Sequence, residues 1–125
     1  MLLKAYDASG FVWYTNFESR KGSELKVNPN AALTFWWGDL ERSIRIEGRA
    51  EQVSDDEANE YFSSRPRSSQ IGALTSSQSR EIESRQALEA QEVETMRKYS
   101  DSDAVIPRPA HWGGERCSIN FIRVY

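Results

Sequence analysis

A single cysteine, Cys117, and a single histidine, His111, occur in the 125 residues. One thiol cannot close an intrachain disulfide, and neither a Cys-rich zinc site nor a clustered histidine site can be assembled from this inventory. No metal is therefore expected, and a reducing compartment, by default the cytoplasm, is the natural setting. Long apolar runs are also missing: nothing approaches the roughly 18 residues of a membrane span, and Met1-Leu2-Leu3-Lys4 lacks the apolar core of a secretory leader. Neither GxGxxG nor GxxxxGK[ST] occurs, which disfavours dinucleotide-binding and P-loop chemistry. Excess positive charge is absent too. Sixteen basic against nineteen acidic residues give a formal charge of -3, so no general attraction to nucleic acid or an acidic membrane is expected, and any anion site must be local.

What is present suits one modest core. The hydrophobic set makes up 38% and charged residues 28%, well away from the disordered regime, and a chain of this length fits one domain. Residues 2–6 and 11–16 are rich in aliphatic and aromatic side chains and flank Asp7-Ala8-Ser9-Gly10, which reads as a β-hairpin turn. Residues 19–25 suit a short helix stopped by Asn28-Pro29-Asn30. Residues 31–37 and 43–50 follow as strands around a turn that starts at Gly38-Asp39, and Ile44 and Ile46 alternate with Arg45 and Glu47. Ser54 with Glu57 forms a capping-box pattern that opens a helix bearing Tyr61 and Phe62 and ended by Pro66. A second short helix over 67–74 and a polar stretch, Thr75 to Ser79, precede an acidic helix over 84–99. The apolar positions of that last helix, Leu88, Val93 and Met96, are spaced for a surface position. Ile106-Pro107-Arg108-Pro109 is a stiff connector, and residues 117–125 return to strand character. This order favours a small antiparallel sheet closed into a barrel with peripheral helices, an α+β fold, mainly antiparallel β.

Two segments carry candidate chemistry. In Thr15 to Lys21 a strand ends in hydroxyl, amide and two adjacent cations at a helix start, which makes either a phosphate cradle or an ordinary solvated loop. Adjacent cations are common on surfaces, so charge alone favours the loop. In Tyr61 to Gln70 two guanidinium groups, several hydroxyls and an aromatic ring surround one proline. That set suits a small phosphorylated planar ligand and equally a phosphorylatable linker. Trp36-Trp37 read as structural, core on one face and interface on the other. His111-Trp112-Gly113-Gly114 reads as a tight turn with a packing tryptophan, because no nucleophile or metal ligand is spaced to work with the histidine. Cys117 reads as a small buried apolar residue. No catalytic acid, base or nucleophile is identified.

These segments, with their neighbours, resemble the pyridoxamine 5'-phosphate oxidase family. The resemblance is carried by MLLK (1–4), YTNFESRKGSEL (14–25), NPNAALTFWW (28–37), YFSSRPRSSQIGA (61–73), SSQS (76–79) and PAHWGG (109–114), in the family's order and spacing. It implies a split β-barrel that binds flavin mononucleotide (FMN) between the two subunits of a homodimer. It further implies that Met1, Leu2, Leu3 and Lys4 lie on the flavin-contacting strand, that Tyr14 and Thr15 lie on the next, and that Arg20 and Lys21 hold the FMN phosphate. Gln78 and Ser79 match a later flavin contact. Lys4, Tyr61, Arg65 and Ser69 match the positions that hold the substrate's phosphate and ring. The implied reaction oxidises pyridoxamine or pyridoxine 5'-phosphate to pyridoxal 5'-phosphate, with hydride passing from the 4' carbon to the flavin and dioxygen ending as hydrogen peroxide. In such chemistry the protein supplies position and electrostatics, which accounts for the missing acid-base pair.

The sequence also departs from the family pattern. The family has an arginine shortly before Leu-Leu-Lys, and it has glutamine where Ser43 stands. It continues past the last strand into a Trp-Gln-Gly turn and an Arg-Leu-His-Asp-Arg segment, whereas Arg116 is kept. Residues 1–125 are thus expected to form a single FMN-binding split-barrel domain, incomplete relative to the family at both ends. The alternative is a non-catalytic or weakly active truncated isoform that binds FMN or a B6 phosphate or pairs with a full-length subunit.

Overall fold

Alternation along one strand organises the molecule. In the computed structural model, which describes residues 1–101 and 103–125, strand β2 (Gly10–Asn16) sends Trp13 to one side of the sheet and Tyr14 to the other. On the first side Trp13 joins Ala50 and Cys117, with Leu25, Ala31 and Leu33 packed against them. On the second, Phe62, Ile71, Ile106 and Trp112 form a core on which Tyr14 and Tyr61 pack. The sheet therefore has an interior and a helix-covered exterior, each with its own apolar cluster.

β1 (Ala5–Asp7) pairs with β2 through the expected hairpin, and the turn is held by Asp7, whose carboxylate accepts from the Ser9 amide at 2.7 Å and the Ser9 hydroxyl at 2.6 Å. β2 pairs with β5 (Trp112–Cys117), which pairs with β4 (Arg42–Gln52), which pairs with β3 (Asn30–Trp37), all antiparallel. β6 (Phe121–Val124) continues along the edge of β4 that β5 leaves, against Ile44 to Glu47. The sheet curls until Phe11 of β2 meets Phe35 of β3, ring centroids 5.8 Å apart, so the ends of the sheet approach as in a partly closed barrel. A single 3-10 turn, Gly38–Leu40, joins β3 to β4.

Among the described residues four helices follow their caps. α1 (Arg20–Val27) starts at Ser19, α2 (Asp55–Ser64) at Ser54 and α4 (Arg85–Lys98) at Ser84, each cap oxygen accepting an amide of the first turn. α3 (Arg67–Thr75) starts behind Pro66. Only half of the expected capping box forms at α2: Ser54 accepts from the Glu57 amide at 3.2 Å, but the Glu57 carboxylate turns to Arg116, 3.1 Å away. The ion pair competes successfully for that carboxylate. α4 lies on the surface as expected, with Leu88, Val93 and Met96 all exposed.

Three expectations need correction. Trp112-Gly113-Gly114 is not a turn but the start of β5, opposite Tyr14, Thr15 and Asn16 of β2. The glycines are there for space: a Cβ on Gly113 would lie 2.6 Å from the Phe17 ring, and one on Gly114 would lie 2.9 Å from the Tyr14 ring. The strand expected over 117–125 is two strands, because the chain crosses from β5 to β6 where it changes position along β4. Trp36 and Trp37 contribute no core face; they are 66% and 51% exposed at the far end of β3. Cys117 is fully buried, as expected, and burial pushes its thiol pKa up.

Candidate functional site

The exterior face of β2 and β5 is the floor of a trough walled by the end of α2 and by α3. Two adjoining hollows make it up, of about 530 and about 370 Å3. The first is lined by Lys4, Tyr61, Arg65 and Ser69, the four residues expected to hold substrate. Thr15 and Gln78, from the expected cofactor set, line the second together with Asn16, Gly72 and Ser76. Met1, Tyr14, Arg65, Ser69 and Trp112 border both, so the two expected cradles are the ends of one continuous trough.

At the cofactor end, Lys21 is fixed by its surroundings. Its ammonium donates to Thr15 Oγ1 at 3.0 Å, Ser19 Oγ at 3.2 Å and Gln78 Oε1 at 3.4 Å, and burial lowers its pKa. Helix α1 begins here because Ser19, fully buried, donates to the Asn16 carbonyl at 2.6 Å and accepts from Gly22. The loop over 76–80 is tied to the same corner: Asn16 Nδ2 donates to the Ser76 carbonyl at 3.5 Å, and Arg80 pairs with Glu18 at 3.1 Å. Arg20, expected beside Lys21, instead pairs with Glu24 one turn along α1 at 2.9 Å, and neither cation lines a hollow of the trough: Lys21 adjoins it through Thr15 and Gln78 and lines an apolar cleft on the Trp13 side of the sheet. Ser79 is exposed in a left-handed conformation, φ 63°, just past the trough lining.

At the other end, Arg65 is the C-cap of α2. Its guanidinium lies 4.6 Å over the Trp112 ring and 5.8 Å from Phe62, and its Nη1 is buried with no hydrogen-bond partner among the described residues. Burial lowers its pKa, opposed by the nearby Tyr61. Leaving a charged donor unpaired costs several kcal/mol in a dry setting, about 1 to 3 even for a neutral group, so this atom invites an anion. Tyr14 and Tyr61 stack at 3.8 Å, and Tyr14 stacks on Trp112 at 5.3 Å, which gives the trough a flat aromatic side suited to a planar ring. Desolvation raises the Tyr14 pKa.

Residues 1–4, expected on a strand, precede β1 outside any strand and are divided between two hollowed regions. Met1, Leu2 and Lys4 line the trough, while Leu3 lines only a separate apolar cleft of about 520 Å3 inside the barrel. Ser43 sits in β4 opposite Trp36, with its backbone paired to Tyr125 in both directions. The second guanidinium of the sequence cluster takes no part in the trough: Arg67 donates to the carbonyls of Tyr99, Asp101 and Ala104. Sequence reasoning missed Trp112 as trough floor, because its glycines suggested a turn. It also missed Gln70, whose buried amide donates to the Ser63 and Arg65 carbonyls at 3.2 and 3.0 Å and fixes the bend between α2 and α3. His111 is structural, 3.2 Å from the Ala73 carbonyl. Among the described residues no group of three or more His, Cys, Asp or Glu is placed to hold a metal ion, and no helix is long and apolar enough to cross a membrane.

The family model for pyridoxamine 5'-phosphate oxidase matches residues 1–98. The chain belongs to the pyridoxamine 5'-phosphate oxidase family. It is 54% identical over 116 residues to the pyridoxine/pyridoxamine 5'-phosphate oxidase of Nostoc sp., covering 93% of this chain and 53% of the relative. It is 50% identical over all 125 residues to that of Janthinobacterium sp., of which it covers 58%. The chain thus spans little more than half the length of the curated relatives it matches. Among solved structures it is similar to PhzG from Burkholderia lata 383 in complex with tetrahydrophenazine-1-carboxylic acid. The TM-score is 0.89 at 25% identity, over 98% of this chain and 58% of the other. A pyridoxamine 5'-phosphate oxidase-related, FMN-binding protein from Nostoc punctiforme matches with TM-score 0.72 at 10% identity, over 98% and 63%, and so supports the fold alone. The architecture is the family's α+β split barrel, as the resemblance implies, and the sequence pattern alone points to an α+β barrel.

Proposed function

We propose that residues 1–125 form one FMN-binding unit that oxidises pyridoxamine or pyridoxine 5'-phosphate to pyridoxal 5'-phosphate. The observation that carries this reading is the buried Nη1 of Arg65 over Trp112, which no described residue hydrogen-bonds, in a trough whose other end is lined by Thr15 and Gln78, the two side chains that the adjoining Lys21 ammonium contacts. Two anion-seeking groups at the ends of one aromatic-sided trough suit two phosphorylated planar molecules lying side by side, which fits FMN and a B6 phosphate.

In this reading Lys21, Thr15 and Gln78 hold the FMN phosphate, with Arg20 joining by releasing Glu24, and Met1, Leu2 and Tyr14 border the flavin, while Leu3 lines the cleft on the other side. Ser79 adds a contact by the loop over 76–80. Lys4, Arg65 and Ser69 hold the substrate phosphate while Tyr61 borders its ring. When bound, FMN would supply the acceptor for the hydride of the substrate's 4' carbon, with dioxygen the final acceptor as hydrogen peroxide; with pyridoxamine 5'-phosphate, water then enters and ammonia leaves to give the aldehyde. The chain's own part is to align the two rings, a task that needs no acid-base side chain.

A homodimer is supported by the exposed apolar surface of Trp36, Trp37, Phe121, Ile122, Val124 and Tyr125, which a second copy would cover, and FMN at the subunit interface is the arrangement the family resemblance implies. A cytoplasmic setting suits the free, buried Cys117.

The test is aerobic turnover of pyridoxamine 5'-phosphate by FMN-saturated protein, with pyridoxal 5'-phosphate and peroxide measured together. Equal amounts of the two are expected. A flavin-saturated protein that forms neither would contradict the oxidase reading and leave a binding form of the family.

A further inference from the structure

We propose that Arg108 is a positioning residue that sets the substrate end of the trough, an inference that rests on the function proposed above. Its guanidinium is nearly buried, 12% exposed, and its three donors reach two different elements. Nη1 donates to the Trp112 carbonyl at 2.7 Å, Nε donates to Asn59 Oδ1 at 2.7 Å, and Nη2 pairs with Asp55. Trp112 carries the ring under Arg65, whereas Asp55 and Asn59 sit one turn apart on α2, whose last turn and cap supply Tyr61 and Arg65. One side chain thus ties the floor of the trough to the helix that forms its wall. Pro107 and Pro109 stiffen the backbone on both sides of Arg108, and Ile106 is anchored in the core with Phe62 and Trp112, so the strut starts from a fixed point.

The Arg108–Asp55 pair alone would add little, since Asp55 is 87% exposed. The fork geometry is what matters: a planar guanidinium meets a carbonyl, an amide and a carboxylate at once, which a lysine ammonium on a flexible stem does not reproduce. The Lys21 cluster has no such dependence, because Lys21 and its partners belong to β2, α1 and the loop over 76–80, so FMN is affected less although Arg65 and Trp112 border both hollows.

The test compares wild type, Arg108→Ala, Arg108→Lys, Arg65→Ala and the Arg65→Ala/Arg108→Ala double variant, titrated separately with pyridoxal 5'-phosphate and FMN, with Tyr61→Leu as a spectroscopic reference. Arg108→Ala is expected to weaken pyridoxal 5'-phosphate binding about tenfold and FMN binding less than about twofold, with no further loss when added to Arg65→Ala. Its near-UV circular dichroism should change as that of Tyr61→Leu does, because the ring stack loosens, while the far-UV spectrum holds. Should Arg108→Ala not fold, Arg108→Lys carries the same expectations in weaker form. Equal losses for both ligands, additive losses in the double variant, or unchanged pyridoxal 5'-phosphate binding would overturn the proposal. A folded wild type that binds no pyridoxal 5'-phosphate would instead contradict the proposed function. The near-UV comparison would then decide the strut alone, a spectrum unlike that of Tyr61→Leu overturning it.

Discussion

The ammonium of Lys21 meets the side-chain oxygen of Gln78 at 3.4 Å, across 57 residues of sequence. This contact joins the start of α1 to the loop after α3 and fixes a cation whose charged form burial already disfavours. A phosphate placed there would restore what burial removes, since charge-assisted hydrogen bonds contribute roughly 1.5 to 3 kcal/mol each.

Lys21→Met should therefore weaken FMN binding by about tenfold to a hundredfold, read by quenching of flavin fluorescence. Arg20→Ala should cost less, because Arg20 is exposed and engaged with Glu24. A larger loss from Arg20→Ala than from Lys21→Met would put the phosphate on the other side of α1.

Arg65→Lys keeps a positive charge but gives up both the fork and the flat stack on Trp112. Binding of pyridoxal 5'-phosphate should weaken about tenfold, with FMN affected less, although Arg65 borders both hollows. Retention of full affinity by the lysine variant would mean that only charge matters at this position.

The segments that signalled chemistry in the sequence are those the fold gathers into the trough, and local rules carry that far. Ser19, Ser54 and Ser84 stand at helix starts because their hydroxyls satisfy free amides, which the residue types announce. What stayed hidden depends on partners distant in the chain. Gly113 and Gly114 look like a turn until the rings of Phe17 and Tyr14 are seen lying over them. Arg67 looks like half of an anion site, yet the carbonyls around the end of α4 claim it. Trp36 and Trp37 look like core because paired aromatics in strands usually are, but the described residues leave both rings largely uncovered at the end of β3.

That exposure leads to a test of assembly. Trp36→Asp, placed on the exposed apolar surface, should shift the protein toward monomer in sedimentation velocity without lowering its Tm by more than a few degrees. A dimer unchanged by the substitution would locate the subunit contact elsewhere.

Burial pushes up the Glu115 carboxyl in β5, 5% exposed. Below the ordinary value of 4.5, folded and unfolded chains alike hold the proton, and the residue is neutral in the fold. As pH rises past 4.5 the unfolded chain ionises first, so the stability contributed by this group declines until its raised folded value is passed. Glu115→Gln removes that decline. Its Tm should exceed that of wild type at pH 7, with the gap closing below pH 4.5. A gap that stays constant with pH would assign the effect to packing.

The account stands most directly on whether the trough takes the flavin. Purified protein incubated with FMN and passed through gel filtration should elute with flavin absorbance under the protein peak, and Lys21→Met treated the same way should elute with much less. Folded wild-type protein that emerges colourless after the same treatment would contradict the central claim.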